Sequence, residues 1–202
     1  MPKIVDHDLR REEVSDAVLQ LIAREGIGAV TLRAVARESG WSTGVIGHYF
    51  ANRHAMLIAA LRRAAYLQAT QFKMTRQEGG TALEQLRRAL ISVLPLDERR
   101  VALTRIFLFF YAEGAQDEAS RDEIAEYLEN WRRIVERILS RAVEQGELSE
   151  DIDTVAKAAQ LVACADAISS HAILDPQILK LVQDRPDIAF DGLLNTAIIP
   201  QL

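Results

Sequence analysis

Thr31–Phe50, TLRAVARESGWSTGVIGHYF, is the stretch from which the rest of the chain can be read. Leu32, Val35 and Ala36 put apolar side chains on one face at helical spacing. Gly40 ends that segment, because glycine tolerates the left-handed backbone that follows a helix. Ser42 then caps a second short helix, from about Thr43 to Tyr49, by accepting a bond from one of its unpaired N–H groups. Val45, Ile46 and Phe50 are available for packing, and small Ala36 sits where two crossing helices come closest. Two short helices around such a turn make the layout of a helix-turn-helix, whose second helix enters the major groove of DNA. The continuation HYFANRHAML supplies an aromatic pair, an Asn52 cap and the start of a new helix.

The flanks are helical in period throughout. Upstream, Val14, Ala17, Val18, Leu21 and Ile22 form an amphipathic stripe that stops at Gly26 and Gly28, with Glu12 and Glu13 at the positive end of its dipole. Downstream, a long helix is expected from Arg53 to about Met74, ahead of Gly79 and Gly80. Thr81 to Glu84 is a capping-box pattern that opens the next helix. Further helices are expected over Val101–Ala115, Glu118–Glu144 and Asp151–Leu174, then a short one between Pro176 and Pro186 and a last one over about Asp187–Ile199. No segment alternates like a strand, so the fold class is all-α.

Composition narrows the alternatives. With 202 residues and 49% hydrophobic content the chain can bury a substantial core. Its single cysteine, Cys164, rules out an intrachain disulfide and a Cys-rich zinc site, and fits a reducing cytoplasm. The polar start MPKIVDHDLRREE lacks the apolar region of a signal peptide. The longest apolar run, Ile106 to Ala112, is far below the ~20 residues of a membrane span. The net charge of −5 is unevenly spread: nine Lys/Arg face seven Asp/Glu up to Arg63, and fifteen face twenty-two beyond it. A mildly basic head on an acidic body suits a surface that meets phosphates.

An enzyme is not expected. None of the four histidines lies in an H-x-x-x-H pattern, and no P-loop, Rossmann fingerprint or G-x-S-x-G elbow occurs, so neither cofactor nor metal is anticipated. Asp122/Glu123 and Glu150/Asp151 read as helix-start residues. Asp166 and His171, five positions apart, lie on different helix faces.

The segment VLQLIAREGIGAVTLRAVARESGWSTGVIGHYFANRHAML resembles the DNA-binding domain of TetR-family transcriptional regulators, over roughly residues 9–63. The resemblance implies a three-helix DNA-binding domain at 1–52 and a larger helical ligand-binding and dimerisation domain at 53–202. It implies a repressor that leaves a near-palindromic double-stranded operator when a small-molecule inducer binds; the alternative is a helical protein-binding module that has lost specific DNA binding. Thr31, Arg33, Tyr49 and Arg53 take the family's phosphate-contacting positions, and Arg10 and Arg11 in the polar N-terminal arm suit phosphates as well. Thr43 and His48 are the polar candidates for reading bases, and Val45 suits a thymine methyl. Gly44 and Gly47 let the backbone approach DNA closely; the family commonly has tyrosine at the second of these, so one contact is missing here. Trp41 replaces the family's usual valine and reads as core packing.

Phe107, Phe110 and Tyr111, with Tyr127 and Trp131, are candidates to line a ligand cavity between helices. The run LTRIFLFFYAEGAQDEASRDEIAEYLENWRRIVERIL resembles the branch that includes choline-responsive repressors, in which the pocket lies among these helices. LVACADAISSHAIL is rich in small residues, as expected where two helices from each subunit form a four-helix homodimer interface. Ala163, Ala167 and Ser170, with Leu193, Leu194 and Ile198 of the last helix, are the expected interface residues.

Overall fold

A computed structural model of the chain describes residues 7–186 and residue 190, without the side chains of 75–77. Its elements are α1 (His7–Glu25), a 3-10 turn (Ile27–Ala29), α2 (Leu32–Ser39), α3 (Thr43–Tyr49), α4 (Arg53–Gln77), α5 (Ala82–Ser92), α6 (Glu98–Gly114), α7 (Glu118–Glu144), α8 (Thr154–Leu174) and α9 (Pro176–Asp184). Among the described residues there is no strand, and no helix is long and apolar enough to cross a membrane.

Local chemistry sets most of the boundaries. Gly40 adopts the left-handed conformation, φ 73°, and so turns the chain between α2 and α3 at a cost that only glycine avoids. Ser42 Oγ accepts from Val45 N at 3.2 Å and Asn52 Oδ1 from Ala55 N at 2.8 Å, capping α3 and α4. The expected capping box closes both ways, with Glu84 N donating to Thr81 Oγ1 and Thr81 N donating to Glu84 Oε2.

Some boundaries differ from the sequence reading, each for a visible reason. α6 begins three residues early, at Glu98, because Asp97 is its cap. α8 begins three residues late, at Thr154, because Asp153 and not Asp151 accepts from its first N–H groups. α7 is capped by Asp117, so Asp122 and Glu123 lie a turn inside it, and Glu123 is ion-paired with Arg62. Leu32 is 39% exposed, and the buried face of α2 is Ala34, Val35 and Ala36. The last expected helix, apart from buried Phe190, lies outside the described residues, as do Leu193, Leu194 and Ile198.

One continuous core runs from head to body. Val18, Leu21 and Ile22 of α1 pack with Val35 and Ile46 of the helix-turn-helix and with Leu57 and Leu61 of α4. The same cluster continues through Leu86, Phe110, Trp131, Val135 and Ala165 of the body. Polar clamps reinforce the join. Arg63 of α4 donates to Asp16 through Nε and Nη2, both at 2.8 Å, and to Glu12 through Nη1. Arg105 of α6 donates through Nη1 to the carbonyls of Ile22 and Ala23, at 2.8 and 2.7 Å, and so caps the C-terminal end of α1 from another helix.

Candidate nucleic-acid interface and ligand cavity

α3 is held from below by Ile46, fully buried, and by Phe50 just after it. That anchoring turns Thr43, Gly44, Gly47 and His48 outward, with Val45 half-buried at the edge. Five of the residues expected on the recognition helix therefore share one accessible surface. A side chain at Gly47 would meet no atom within 4 Å of its Cβ, so the missing tyrosine reflects the sequence and not a steric constraint.

The expected phosphate ligands flank this surface, and several have a structural duty that sequence reading missed. Thr31 Oγ1 accepts from Ala34 N at 3.2 Å and caps α2, while Arg33 is exposed beside it. The Arg10 guanidinium lies 4.3 Å over the Trp41 ring, so Trp41 packs on the core with one face and positions an arginine with the other. Arg11 donates to the Tyr49 carbonyl at 3.3 Å and lies over the Phe50 ring. Tyr49 is half-buried, its ring between those of His7 and His48.

Arg53 departs furthest from its expected role. Its Nε donates to Val30 O at 2.9 Å and its Nη2 to Ile27 O at 2.7 Å, so the guanidinium ties the start of α4 to the turn before α2. Arg53→Ala should lower the unfolding free energy by about 1–2 kcal/mol, less than for a buried charged donor because the side chain is exposed. Urea denaturation measures this; an unchanged midpoint would mean that water replaces both bonds at no cost.

In the body, the aromatic cluster divides. Phe107, Tyr111 and Tyr127 line a cavity together with Gln68, Arg100, Asp166 and Ser169. Phe110 and Trp131 do not. Phe110 is fully buried between Phe109 and His54, and Trp131 stacks on Phe72 at 4.3 Å between ring centroids. For these two residues the ligand-lining expectation is corrected to core packing. Phe107 and Tyr111 are four residues apart on α6 and share a face, whereas Phe110, one residue before Tyr111, points about 100° round the helix from it.

The cavity has an uncommon electrostatic character. Phe107 and Tyr127 stack at 4.1 Å, and Tyr127 Oη donates to Gln68 Oε1 at 2.8 Å. Tyr111 Oη donates to Asp166 Oδ2 at 2.9 Å. Burial pushes the Asp166 carboxyl up to about 6, and the Tyr111 bond only partly offsets that. Arg100, the cation on the cavity wall, is committed to Asp97 at 2.7 Å. The cavity is small, about 20 Å³. That is room for a water, and a larger guest requires the wall side chains to part.

On α8, Val155, Ala163, Ala167, His171 and Leu174 are exposed along one side, and Ser170 is half-buried beside them. Leu174 and Leu181 of α9 are 70% and 51% exposed, an apolar face with little polar cover.

Residues 15–60 match the description "Bacterial regulatory proteins, tetR family", and residues 82–185, just over half of the chain, match "BetI-type transcriptional repressor, C-terminal". The chain belongs to the TetR family. It is a transcriptional regulator with a DNA-binding head and a repressor-type body. It is 26% identical over 189 residues to the HTH-type transcriptional regulator PksA of Bacillus subtilis, covering 92% of this chain and 88% of that one. In fold it is similar to a TetR-family regulator from Rhodococcus sp., with TM-score 0.79, 22% identity and coverage of 95% and 100% of the two chains. It also resembles a regulator from Saccharomonospora viridis whose structure holds choline, with TM-score 0.71, 20% identity and coverage of 87% and 96%.

Proposed function

We propose that this regulator is a homodimeric repressor that leaves its operator when a small organic cation enters the Tyr111–Asp166 cavity. Two heads, residues 1–52 of each subunit, enter successive major grooves of a near-palindromic site with half-sites ~34–36 Å apart. Arg10, Arg11, Thr31, Arg33 and Tyr49 hold phosphates, with Arg53 contributing whatever N–H groups its two carbonyl partners leave free. Thr43, Val45 and His48 meet base edges, and Gly44 and Gly47 allow the helix to lie close. The subunits pair through the exposed faces of α8 and α9, using Ala163, Ala167 and Ser170.

The observation that carries the ligand class is Asp166. A half-buried, desolvated carboxylate that no cation neutralises is costly, and a cationic guest beside the Phe107/Tyr127 stack would offset that cost twice, by charge and through the ring faces. The choline held by the Saccharomonospora relative agrees with that chemistry. The cation releases DNA only through its differential affinity for the non-binding conformation.

Selection from random DNA by the full-length protein, repeated with a panel of small ammonium compounds, tests the reading. An inverted repeat that is recovered alone and lost in the presence of a cation is the expected result. A folded dimer that enriches no site would favour the protein-binding alternative. Release by neutral or anionic compounds but not by cations would overturn the ligand class.

A further inference from the structure

A second recess, open to solvent, lies between α4, α5 and α7. It offers about 500 Å³, against about 20 Å³ for the aromatic cavity. Its floor is apolar: Phe72 and Ala89 are buried, and Ala69, Ile134 and Ile138 are half-buried. Ile134, Arg137, Ile138 and Arg141 follow one face of α7 at helical spacing, so apolar and cationic groups alternate along the same wall.

The charge is one-sided. Lys73, Arg137 and Arg141 line the recess, and no Asp or Glu does, in a chain whose net charge is −5. Lys73 and Arg137 are exposed and have no ion-pair partner among the described residues. Arg141 donates through Nη2 to Gln85 Oε1 at 2.6 Å, but its Nε is buried without an acceptor. A groove with an apolar floor and a rim of three cations has the chemistry of a site for a hydrophobic anion.

We propose that this groove binds an amphipathic carboxylate of medium chain length. The alkyl chain lies along Phe72, Ile134 and Ile138, and the carboxylate is held by Lys73, Arg137 and the Arg141 guanidinium. The site is separate from the Tyr111–Asp166 cavity, with which it shares no lining residue, and it selects the opposite charge.

Trp131 provides the readout, since its indole stacks on groove-lining Phe72 at 4.3 Å with the rings 10° from parallel. The chain has two tryptophans, so in a Trp41→Phe background Trp131 is the sole indole. The full-length protein is titrated with decanoate and, separately, with decan-1-ol, both below micelle-forming concentrations. The expected result is a saturable fluorescence change with decanoate binding at least tenfold more tightly than the alcohol. Lys73→Ala with Arg137→Ala, both exposed positions, should weaken decanoate at least tenfold, leave the alcohol unchanged and leave the thermal midpoint in place. Asp166→Asn should not alter decanoate binding. Equal affinity for acid and alcohol, no saturable decanoate signal, an unaffected double variant or a response to Asp166→Asn would each overturn the proposal.

Discussion

Asp166→Asn should leave operator binding intact and raise the concentration of a cationic inducer needed for release by at least tenfold. Asparagine keeps the shape and can still accept from Tyr111 Oη, but it removes the charge that the cavity otherwise presents to a cation. Titrating the operator complex with an ammonium compound that releases the unaltered protein measures the change; an unchanged release curve would place the inducer elsewhere. The substitution also has a signature without any ligand. The folded protein holds the Asp166 carboxyl near 6, against an ordinary value of 3.8, so folding favours its protonated form. The stability gained from that proton is complete below the unfolded value and is lost as pH rises through about 6. The two values together correspond to about 3 kcal/mol at neutral pH. Relative to the unaltered protein, the asparagine variant should therefore gain stability between pH 4 and 7. Urea unfolding at those two pH values reads this directly, and a stability difference that does not change with pH would contradict a desolvated, uncompensated carboxyl.

Arg105→Ala should separate the head from the cavity. The guanidinium of Arg105 donates to the carbonyl of Ala23 and to that of Ile22, which also accepts from Gly26 N, and its positive charge suits the negative end of that helix. The same helix α6 carries Thr104, Phe107 and Tyr111 on the cavity wall. On the proposed reading, a guest that parts those side chains would displace α6, and Arg105 would pass the displacement to α1. The variant should lose about 2–3 kcal/mol of unfolding free energy, as for partly buried hydrogen bonds from a charged donor. Its operator affinity without ligand should stay within a few-fold, and the factor by which an inducer lowers that affinity should shrink about fivefold or more. Operator titrations with and without the inducer give both numbers. A variant that is destabilised but responds fully would leave Arg105 a structural brace only.

Much of the head was legible in the sequence because its signals are local. Gly40 terminates, Ser42 and Asn52 cap, and Ile46 and Phe50 anchor, each within a few residues of the feature it controls. α7 could be bounded at Glu118 and Glu144 for the same reason, from period and flanking turns. Ambiguity began where several acids competed to cap one helix, as at Asp151 and Asp153, because each could take the role and only backbone geometry selects one.

The sequence by itself determined the helical class, the helix-turn-helix and the order of the elements, since these follow from side-chain period, glycine conformation and capping over short spans. Only the tertiary structure decided which aromatic residues share a cavity, that Asp166 faces Tyr111 across 55 positions, that Arg53 braces the turn before α2, and that Arg105 reaches α1 from α6. Those pairings depend on how helices cross and rotate about their axes, and a rotation of one residue carries a side chain about 100° around the helix, from cavity to core.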